Sequence, residues 1–121
     1  MTRLTDSEWQ VLQVLWDSGG AALGEVAQAL WPQTGWSRNT VLTYLTRMEA
    51  KGLVRIDKDT VPHRYQAGVD RETCRAQERR SFLNRVYQGA AGDLVAAFLK
   101  EGGISAREKE ELRKLLDEME V

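Results

Sequence analysis

Side chains suited to hydrogen bonding with nucleic acid recur between residues 36 and 53, which read WSRNTVLTYLTRMEAKGL. An arginine can pair with guanine or phosphate, an asparagine with adenine, and a threonine offers both a hydroxyl and a methyl group that can contact thymine. At about 100° per residue, Val41, Leu45 and Met48 share one side of a helix, and the polar residues lie elsewhere on its surface. The polar candidates are Arg38, Asn39, Thr40, Thr43, Thr46 and Arg47.

Such a face suits the major groove of DNA, but an ordinary solvated helix presents a similar one. The preceding elements favour the first interpretation. Thr5 and Glu8 fit a capping box, which predicts the start of a helix with one apolar face. Gly19 is predicted to end this helix. A second, shorter helix covers residues 23–31, and Pro32 is predicted to end it because proline cannot continue the backbone hydrogen bonding.

The third helix and the segment after it complete a recognisable order. Ser37 can cap this helix and Gly52 can close it, so three helices with tight connections give a helix-turn-helix. Residues 53–57 and 63–67 are β-prone runs separated by a polar loop with a proline, which predicts a hairpin. A helix-turn-helix followed by a hairpin is a winged helix. The wing residues predicted to reach phosphates are Lys58, His63 and Arg64.

The charge of the chain is unevenly distributed. The formal net charge of −1 is low for a DNA-binding protein, because such proteins usually displace counterions from phosphates with a basic patch. Residues 37–64, however, contain six Lys and Arg against three Asp and Glu, whereas residues 108–120 lean acidic. The third helix and the wing therefore lie in a locally basic segment.

From Asp70 onward the chain reads as three more helices. Asp70 can cap the first, which runs through Tyr87, and Ser105 starts a second capping box before the last. Short amphipathic helices bury their apolar faces poorly by themselves, so a second copy of the chain is the simplest partner. The residues predicted to form this dimer interface are Phe82, Leu83, Val86, Tyr87, Leu94, Phe98, Leu112, Leu115, Leu116 and Met119.

These elements predict a fold that is mainly α with a small β-hairpin. It comprises a winged-helix DNA-binding domain over residues 1–69 and a helical dimerisation domain over residues 70–121. Three tryptophans, Trp9, Trp16 and Trp31, fall on apolar faces and are predicted to lie in the core. The fourth, Trp36, either staples the start of the third helix or touches the DNA backbone.

Several classes of function are excluded by what the chain contains. A single cysteine, Cys74, and a single histidine, His63, leave no cluster for a metal, and no cofactor is expected. No motif places a nucleophile or carboxylate to work with His63, so an enzyme is not expected. Cys74 is interpreted as a small buried apolar residue rather than a redox switch.

No apolar run reaches the roughly 18 residues that span a bilayer, and the first residues lack the apolar segment of a secretion signal. A cytoplasmic location without membrane insertion is therefore expected.

Five separated motifs occur in order over almost the entire chain. They are TDSEWxVLxVLW at positions 5–16, WSxxTVxTxLTRMxxKGL at 36–53, RY at 64–65, SFLNRVYxG at 81–89 and SAREKEELRKLL at 105–116. Together they resemble the BlaI/MecI family of penicillinase repressors. The resemblance is more specific than a helix-turn-helix pattern, because several independent segments agree.

The resemblance implies a bacterial homodimeric repressor that binds palindromic operators with TACA and TGTA elements through its winged helices. It also implies a role in antibiotic resistance, in which a membrane sensor of β-lactams triggers proteolysis within the dimerisation region. The corresponding bond here joins Ala97 to Phe98, where the family has an asparagine before the phenylalanine. Members often have proline and lysine at the positions of Arg38 and Asn39. The resemblance therefore supports a DNA-contact role more securely for Thr40, Thr43, Thr46 and Arg47 than for these two. The cysteine cluster of the related copper-responsive repressors is missing, so copper sensing is not expected.

The leading hypothesis is therefore a dimeric transcriptional repressor. Its rival is a winged-helix module that binds protein rather than DNA, and a repressor of the same fold with a different inducer is the remaining alternative. The basic residues on the third helix and in the wing favour DNA.

Overall fold

The computed structural model describes residues 3–119. Its helices are α1 Asp6–Ser18, α2 Leu23–Thr34, α3 Arg38–Ala50, α4 Arg71–Tyr87, α5 Ala91–Glu101 and α6 Ala106–Glu118. Its strands are β1 Ala21–Ala22, β2 Val54–Asp57 and β3 Arg64–Ala67. The predicted class, mainly α with a small hairpin, is confirmed, and so is the order of a helix-turn-helix followed by a wing.

α1 begins with the predicted capping box. The Thr5 hydroxyl accepts a hydrogen bond from the Glu8 amide at 3.1 Å, and the Glu8 carboxylate accepts one from the Thr5 amide at 2.9 Å. Gly19 ends the helix at φ 73°, a left-handed conformation that glycine adopts without a steric penalty. Both ends of α1 therefore lie where the sequence predicted them.

α2 is longer than predicted. Pro32 lies inside the helix, which continues to Thr34 and is followed by Gly35 as a left-handed cap. A proline this close to the end removes one backbone hydrogen bond, to the Gln28 carbonyl. The Thr34 hydroxyl reinforces the same turn by donating to the Leu30 carbonyl at 2.8 Å. The prediction that Pro32 ends the helix is therefore wrong.

The hairpin forms as predicted, and a short strand completes a three-stranded sheet. The order is β1-β3-β2, with antiparallel pairing throughout. Tyr65 pairs with Ile56 on one side and with Ala21 on the other. β1 was not predicted, because two alanines show neither alternation nor β-branched side chains. It joins the start of α2 to the base of the wing.

One apolar core joins α1, α2, α3 and the hairpin. Its buried members are Leu4, Val11, Leu12, Leu15, Ala21, Val26, Leu30, Val41, Leu45, Met48, Leu53, Val54, Tyr65 and Cys74. Cys74 is 2% exposed, which confirms its interpretation as a buried apolar residue. Burial, and then the nearby charge of Asp70, raises the pKa of the Cys74 thiol, so the thiol remains protonated and unreactive.

The tryptophans are placed differently from one another. Trp9 and Trp16 pack edge to face against each other, with ring centroids 5.9 Å apart, and both lie against the core. Trp31 is 61% exposed, so its predicted place in the core is wrong. The buried face of α2 consists of Val26 and Leu30, and Trp31 lies about 100° around the helix from Leu30.

The chain divides into two compact units between Gln77 and Glu78. Asp70 caps α4 as predicted, because its carboxylate accepts from the Thr73 amide at 2.9 Å and from the Thr73 hydroxyl at 3.0 Å. Since Cys74 lies in the winged-helix core, the first turns of α4 belong to the N-terminal unit. The functional division at residue 70 stays a prediction.

The C-terminal unit contains the rest of α4, with α5 and α6. Ser105 and Glu108 form the predicted second capping box, with hydrogen bonds of 3.0 and 3.1 Å. Neither α5 nor α6 contains a buried residue. None of the helices within residues 3–119 combines the length and hydropathy that a bilayer crossing requires.

Candidate nucleic-acid interface

α3 starts at the predicted serine N-cap. The Ser37 hydroxyl oxygen accepts a hydrogen bond from the Thr40 amide at 3.2 Å and lies 3.0 Å from the Thr40 hydroxyl oxygen. Thr40, a predicted DNA contact, is half-buried. Its hydroxyl has a partner within the chain, so this residue also fixes the start of the helix.

The rest of α3 separates buried apolar residues from exposed polar ones. Val41 and Leu45 have no exposed surface, and Met48 is 1% exposed. The remaining predicted contacts of this helix are all exposed, namely Arg38, Asn39, Thr43, Thr46 and Arg47. At helical spacing these side chains spread over the side of α3 that faces away from the core.

Arg38 approaches the start of α2. A Cβ atom built on Gly24 would lie 3.7 Å from one guanidinium nitrogen of Arg38 and 3.8 Å from its Cζ atom. These are ordinary van der Waals distances, so the guanidinium lies beside Gly24 with room for about one methyl group between them. The charge of Arg38 is therefore located where α2 and α3 come together.

The wing loop is organised by its first acidic residue. The Asp57 carboxylate accepts from the Asp59 amide at 3.0 Å, and the Asp57 carbonyl accepts from the Thr60 hydroxyl at 3.4 Å. Lys58 and His63, both predicted phosphate contacts, are exposed on this loop. Val61 is 96% exposed.

Arg64, the third predicted phosphate contact of the wing, bonds within the chain. Its Nη2 atom donates to the Gly20 carbonyl at 2.7 Å, which ties β3 to the turn after α1. The side chain is exposed, and a guanidinium carries five N–H donors. The contact of Arg64 with a phosphate stays a prediction. The bond to Gly20 fixes the position of its guanidinium.

Lys51 does not add to the basic surface. Its ammonium donates to Glu8 Oε2 at 2.9 Å, where the Glu8 side chain is 6% exposed. Burial raises the pKa of Glu8, but hydrogen bonds from the Thr5 amide and from Lys51 outweigh it, so the pKa lies below its ordinary value. The carboxylate that completes the capping box of α1 therefore also fixes the end of α3.

A groove of about 890 Å³ lies between the start of α2, the first half of α3 and the wing. Leu42 lines it together with Val61, Pro62 and His63, and is 38% exposed. The sequence prediction did not include Leu42, although it follows Arg38 by four residues and so lies on the same side of α3. An exposed leucine here can contact the methyl group of thymine.

Trp36 packs within the protein. Its ring stacks on that of Tyr44 at a centroid separation of 4.7 Å and an interplanar angle of 30°. The Tyr44 hydroxyl in turn lies 3.4 Å from the Ser7 hydroxyl oxygen, on α1. Of the two predicted roles of Trp36, this geometry favours stapling the start of α3.

Sequence comparison assigns the family. A sequence model of the penicillinase repressor family matches residues 4–118. The chain belongs to the penicillinase repressor family. This is a family of DNA-binding transcriptional repressors rather than of enzymes, so the expectation that the chain is not an enzyme is confirmed.

Relatives of this family member are similar over nearly their whole length. The chain is 29% identical to the methicillin resistance regulatory protein MecI of Staphylococcus aureus over 114 residues, covering 94% of this chain and 93% of that protein. It is 30% identical to the penicillinase repressor of Bacillus licheniformis over 116 residues, covering 96% and 91%. The resemblance to the BlaI/MecI family is thereby confirmed.

Two solved structures share its fold. The monomeric form of Bacillus licheniformis BlaI, solved in complex with the blaP half-operator, aligns with a TM-score of 0.53 at 27% identity. The alignment covers 59% of this chain and 87% of that one. A MarR family protein from Bacillus stearothermophilus aligns with a TM-score of 0.52 over 98% of this chain and 76% of that one. At 21% sequence identity, this similarity concerns the fold alone.

In this penicillinase repressor family member, the predicted dimerisation residues remain largely uncovered. Four of them are half-buried, namely Leu83, Tyr87, Leu94 and Leu112. The others are exposed, namely Phe82, Val86, Phe98, Leu115, Leu116 and Met119. Phe82 and Tyr87 contact each other with ring centroids 6.0 Å apart.

Proposed function

We propose that this protein is a homodimeric repressor that binds palindromic operator DNA through α3 and the wing. The observation that carries the proposal is the division of α3 into a fully buried apolar face and an open face with two arginines, an asparagine and two threonines. Family membership supports it, and so does the half-operator bound by Bacillus licheniformis BlaI.

The exposed residues divide into two roles. Asn39, Thr43, Thr46 and Arg47 project from α3 and are assigned to base edges in the major groove. Arg38, Lys58, His63 and Arg64 lie around the helix start and the wing and are assigned to phosphates. Thr40 is assigned to a DNA contact at the capped start of α3. Base contacts specify the sequence, whereas phosphate contacts set position and most of the salt dependence.

Dimerisation is assigned to the C-terminal helices. Phe98 is 52% exposed, Leu116 66% and Met119 73%, although apolar side chains of this size are normally buried. A second copy of the chain would cover them and place two winged helices on the two halves of a palindrome. Two linked modules bind far more tightly than one, because the second contact forms at a high effective concentration. We assign the operator to the TACA/TGTA type on the family resemblance.

Release from DNA is assigned to proteolysis in the dimerisation region. Ala97 and Phe98 lie on α5, and a protease needs an extended segment. α5 has no buried residue within one chain, so its local opening is expected to cost little. The relatives are named for methicillin resistance and penicillinase, so the assigned trigger is a β-lactam acting through a membrane sensor and a protease. A repressor acts where the DNA is, which assigns it to the cytoplasm.

The test is to sequence the DNA that the purified protein retains from its own genome, then measure affinity for that DNA and for a scrambled duplex at several salt concentrations. We expect a preference for the retained sequence and an affinity that falls steeply with salt. Equal affinity for both duplexes would reject operator recognition, and absence of DNA binding would favour the protein-binding module. The release mechanism is tested by following the chain with mass spectrometry after β-lactam exposure, where an intact chain at an induced promoter would reject cleavage.

A further inference from the structure

The chain segment that leads into α4 is held against α1 by three contacts. The Trp16 indole Nε1 donates to the Val69 carbonyl at 3.0 Å. Arg71 Nη2 forms an ion pair with Asp17 Oδ1. The Arg71 guanidinium carbon also lies 5.4 Å from the centre of a Trp16 ring, within the range of a cation–π contact. We refer to Trp16, Asp17, Val69 and Arg71 as the clamp.

The clamp restrains the start of α4 in more than one way. The indole holds the backbone at Val69, just before the helix, while Arg71 is held through both its charge and its planar face. One turn further on, Cys74 is anchored in the core at 2% exposure. A flexible linker has none of these restraints. The first turns of α4 therefore extend the winged helix as a rigid element.

None of the clamp residues belongs to the surface assigned to DNA. Asp17 and Arg71 belong to α1 and α4, whereas the assigned DNA contacts belong to α3 and the wing. The side chain of Arg71 is 33% exposed and its charge is paired with Asp17, so it is poorly suited to recruit a phosphate. These residues instead restrain the direction in which the first turns of α4 leave the winged helix.

We propose that the clamp determines which separation of two operator half-sites the protein accepts. The proposal rests on the homodimeric operator binding described above. One added base pair moves a half-site by about 3.4 Å along the DNA and turns it by about 35°. Winged helices in which the start of α4 is held in one direction should accept one separation, whereas a loosened start should tolerate several. Arg71 is then a positioning residue that acts without contacting DNA.

The test uses the full chain and three duplexes derived from the operator that the protein retains from its genome. These are a half-operator, the native operator and an operator with two base pairs inserted between the half-sites. Arg71→Ala removes the ion pair and the ring contact, and Asp17→Asn removes the ion pair at a side chain that is 72% exposed. The control for Arg71→Ala is Arg75→Ala, which also removes one positive charge from α4 but at an exposed position.

The wild type and Arg75→Ala are expected to bind the native operator at least about tenfold more tightly than the inserted one. Arg71→Ala and Asp17→Asn are expected to narrow this ratio to about threefold, with half-operator affinity unchanged. If Arg71→Ala and Asp17→Asn both keep the wild-type ratio of native to inserted operator affinity, the proposal is overturned. A loss of half-operator binding would also overturn it, because the clamp would then serve only the fold. A wild type that binds the operator no more tightly than the half-operator would reject the homodimeric function itself, and the clamp with it.

Discussion

Thr43 Oγ1 donates a hydrogen bond to the Asn39 carbonyl oxygen at 3.0 Å, on the exposed side of α3. The hydroxyl proton is therefore used within the helix, and the side chain presents its methyl group and oxygen lone pairs to a partner. Thr43→Ser keeps the hydroxyl and is expected to lose discrimination between operator and scrambled DNA. Thr43→Val keeps the methyl group and is expected to retain most of it. The measurement is the ratio of the two affinities, and the opposite order of the variants would assign recognition to the hydroxyl.

Leu42 is expected to contribute through thymine methyl groups. Leu42→Ala should weaken binding to the operator about fivefold, or roughly 1 kcal/mol, as for the loss of one or two buried methylene groups. On an operator in which uracil replaces thymine, the methyl groups are missing and the variant should differ little from the wild type. Equal losses on both operators would show that Leu42 acts through the shape of α3 instead.

Two lysines of the same segment are expected to differ in salt dependence. Lys58→Gln should reduce the slope of log affinity against log salt by about 0.9, the effect of one phosphate contact, on operator and scrambled DNA alike. Lys51→Gln makes the same change in charge but should leave the slope unchanged, because Lys51 is paired with Glu8. Equal slopes for the two variants would remove Lys58 from the phosphate contacts.

The stability of the winged helix is expected to depend on the ionisation of Glu8. Its pKa in the folded protein is lowered from 4.5, so the folded state binds protons less readily than the unfolded state. The resulting stabilisation is fully present above the unfolded pKa and is lost as the pH falls through the folded pKa. Glu8→Gln preserves the capping box geometry but not the charge, and should cost about 1 kcal/mol at pH 7.

Urea unfolding of the wild type and Glu8→Gln at a series of pH values from neutral to acidic measures this contribution. The difference between their free energies of unfolding should shrink as the solution is acidified below the ordinary pKa of Glu8. A difference that stays constant over the whole series would show that the carboxylate charge is not responsible.

The C-terminal helices are expected to hold the dimer through their exposed apolar residues. Leu116→Gln should raise the dimer dissociation constant by about 150-fold, because about 1.5 kcal/mol of apolar burial is lost from each of the two copies. Lys114→Gln is the matched control at an exposed polar position of α6 and should leave the constant unchanged. Sedimentation velocity over a range of protein concentrations measures both, and an unaltered constant for Leu116→Gln would place the interface elsewhere.

Local signals in the sequence were reliable guides to the starts of helices, whereas Pro32 did not end α2 as predicted. The caps at Thr5, Ser37 and Ser105 were predicted because each joins a side chain to a backbone amide three residues further on. The exposed face of α3 was predicted because helical spacing separates it from the buried residues. The family motifs added the assignment of these elements to a repressor.

Interactions between distant segments could not be predicted in the same way. The bond from Arg64 to Gly20 and the pairing of Lys51 with Glu8 join positions that no short motif relates. Because the Lys51 charge is paired with Glu8, a count of basic residues overstated the charge available to DNA. The exposure of Trp31 depends likewise on which side of α2 meets the core, a property of tertiary packing rather than of the helix itself.

If a second copy of the chain covers α5 and α6, the lack of buried side chains in these helices within one chain would make abundance part of the regulation. If a second copy covers these helices, as proposed, their order depends on how often two chains meet and therefore on how many the cell contains. Dilution during growth would release single chains whose C-terminal helices open easily, while the winged helix keeps its own core. Scarcity would then shorten the lifetime of the remaining chains, so a small fall in synthesis would be amplified into a sharp loss of repression.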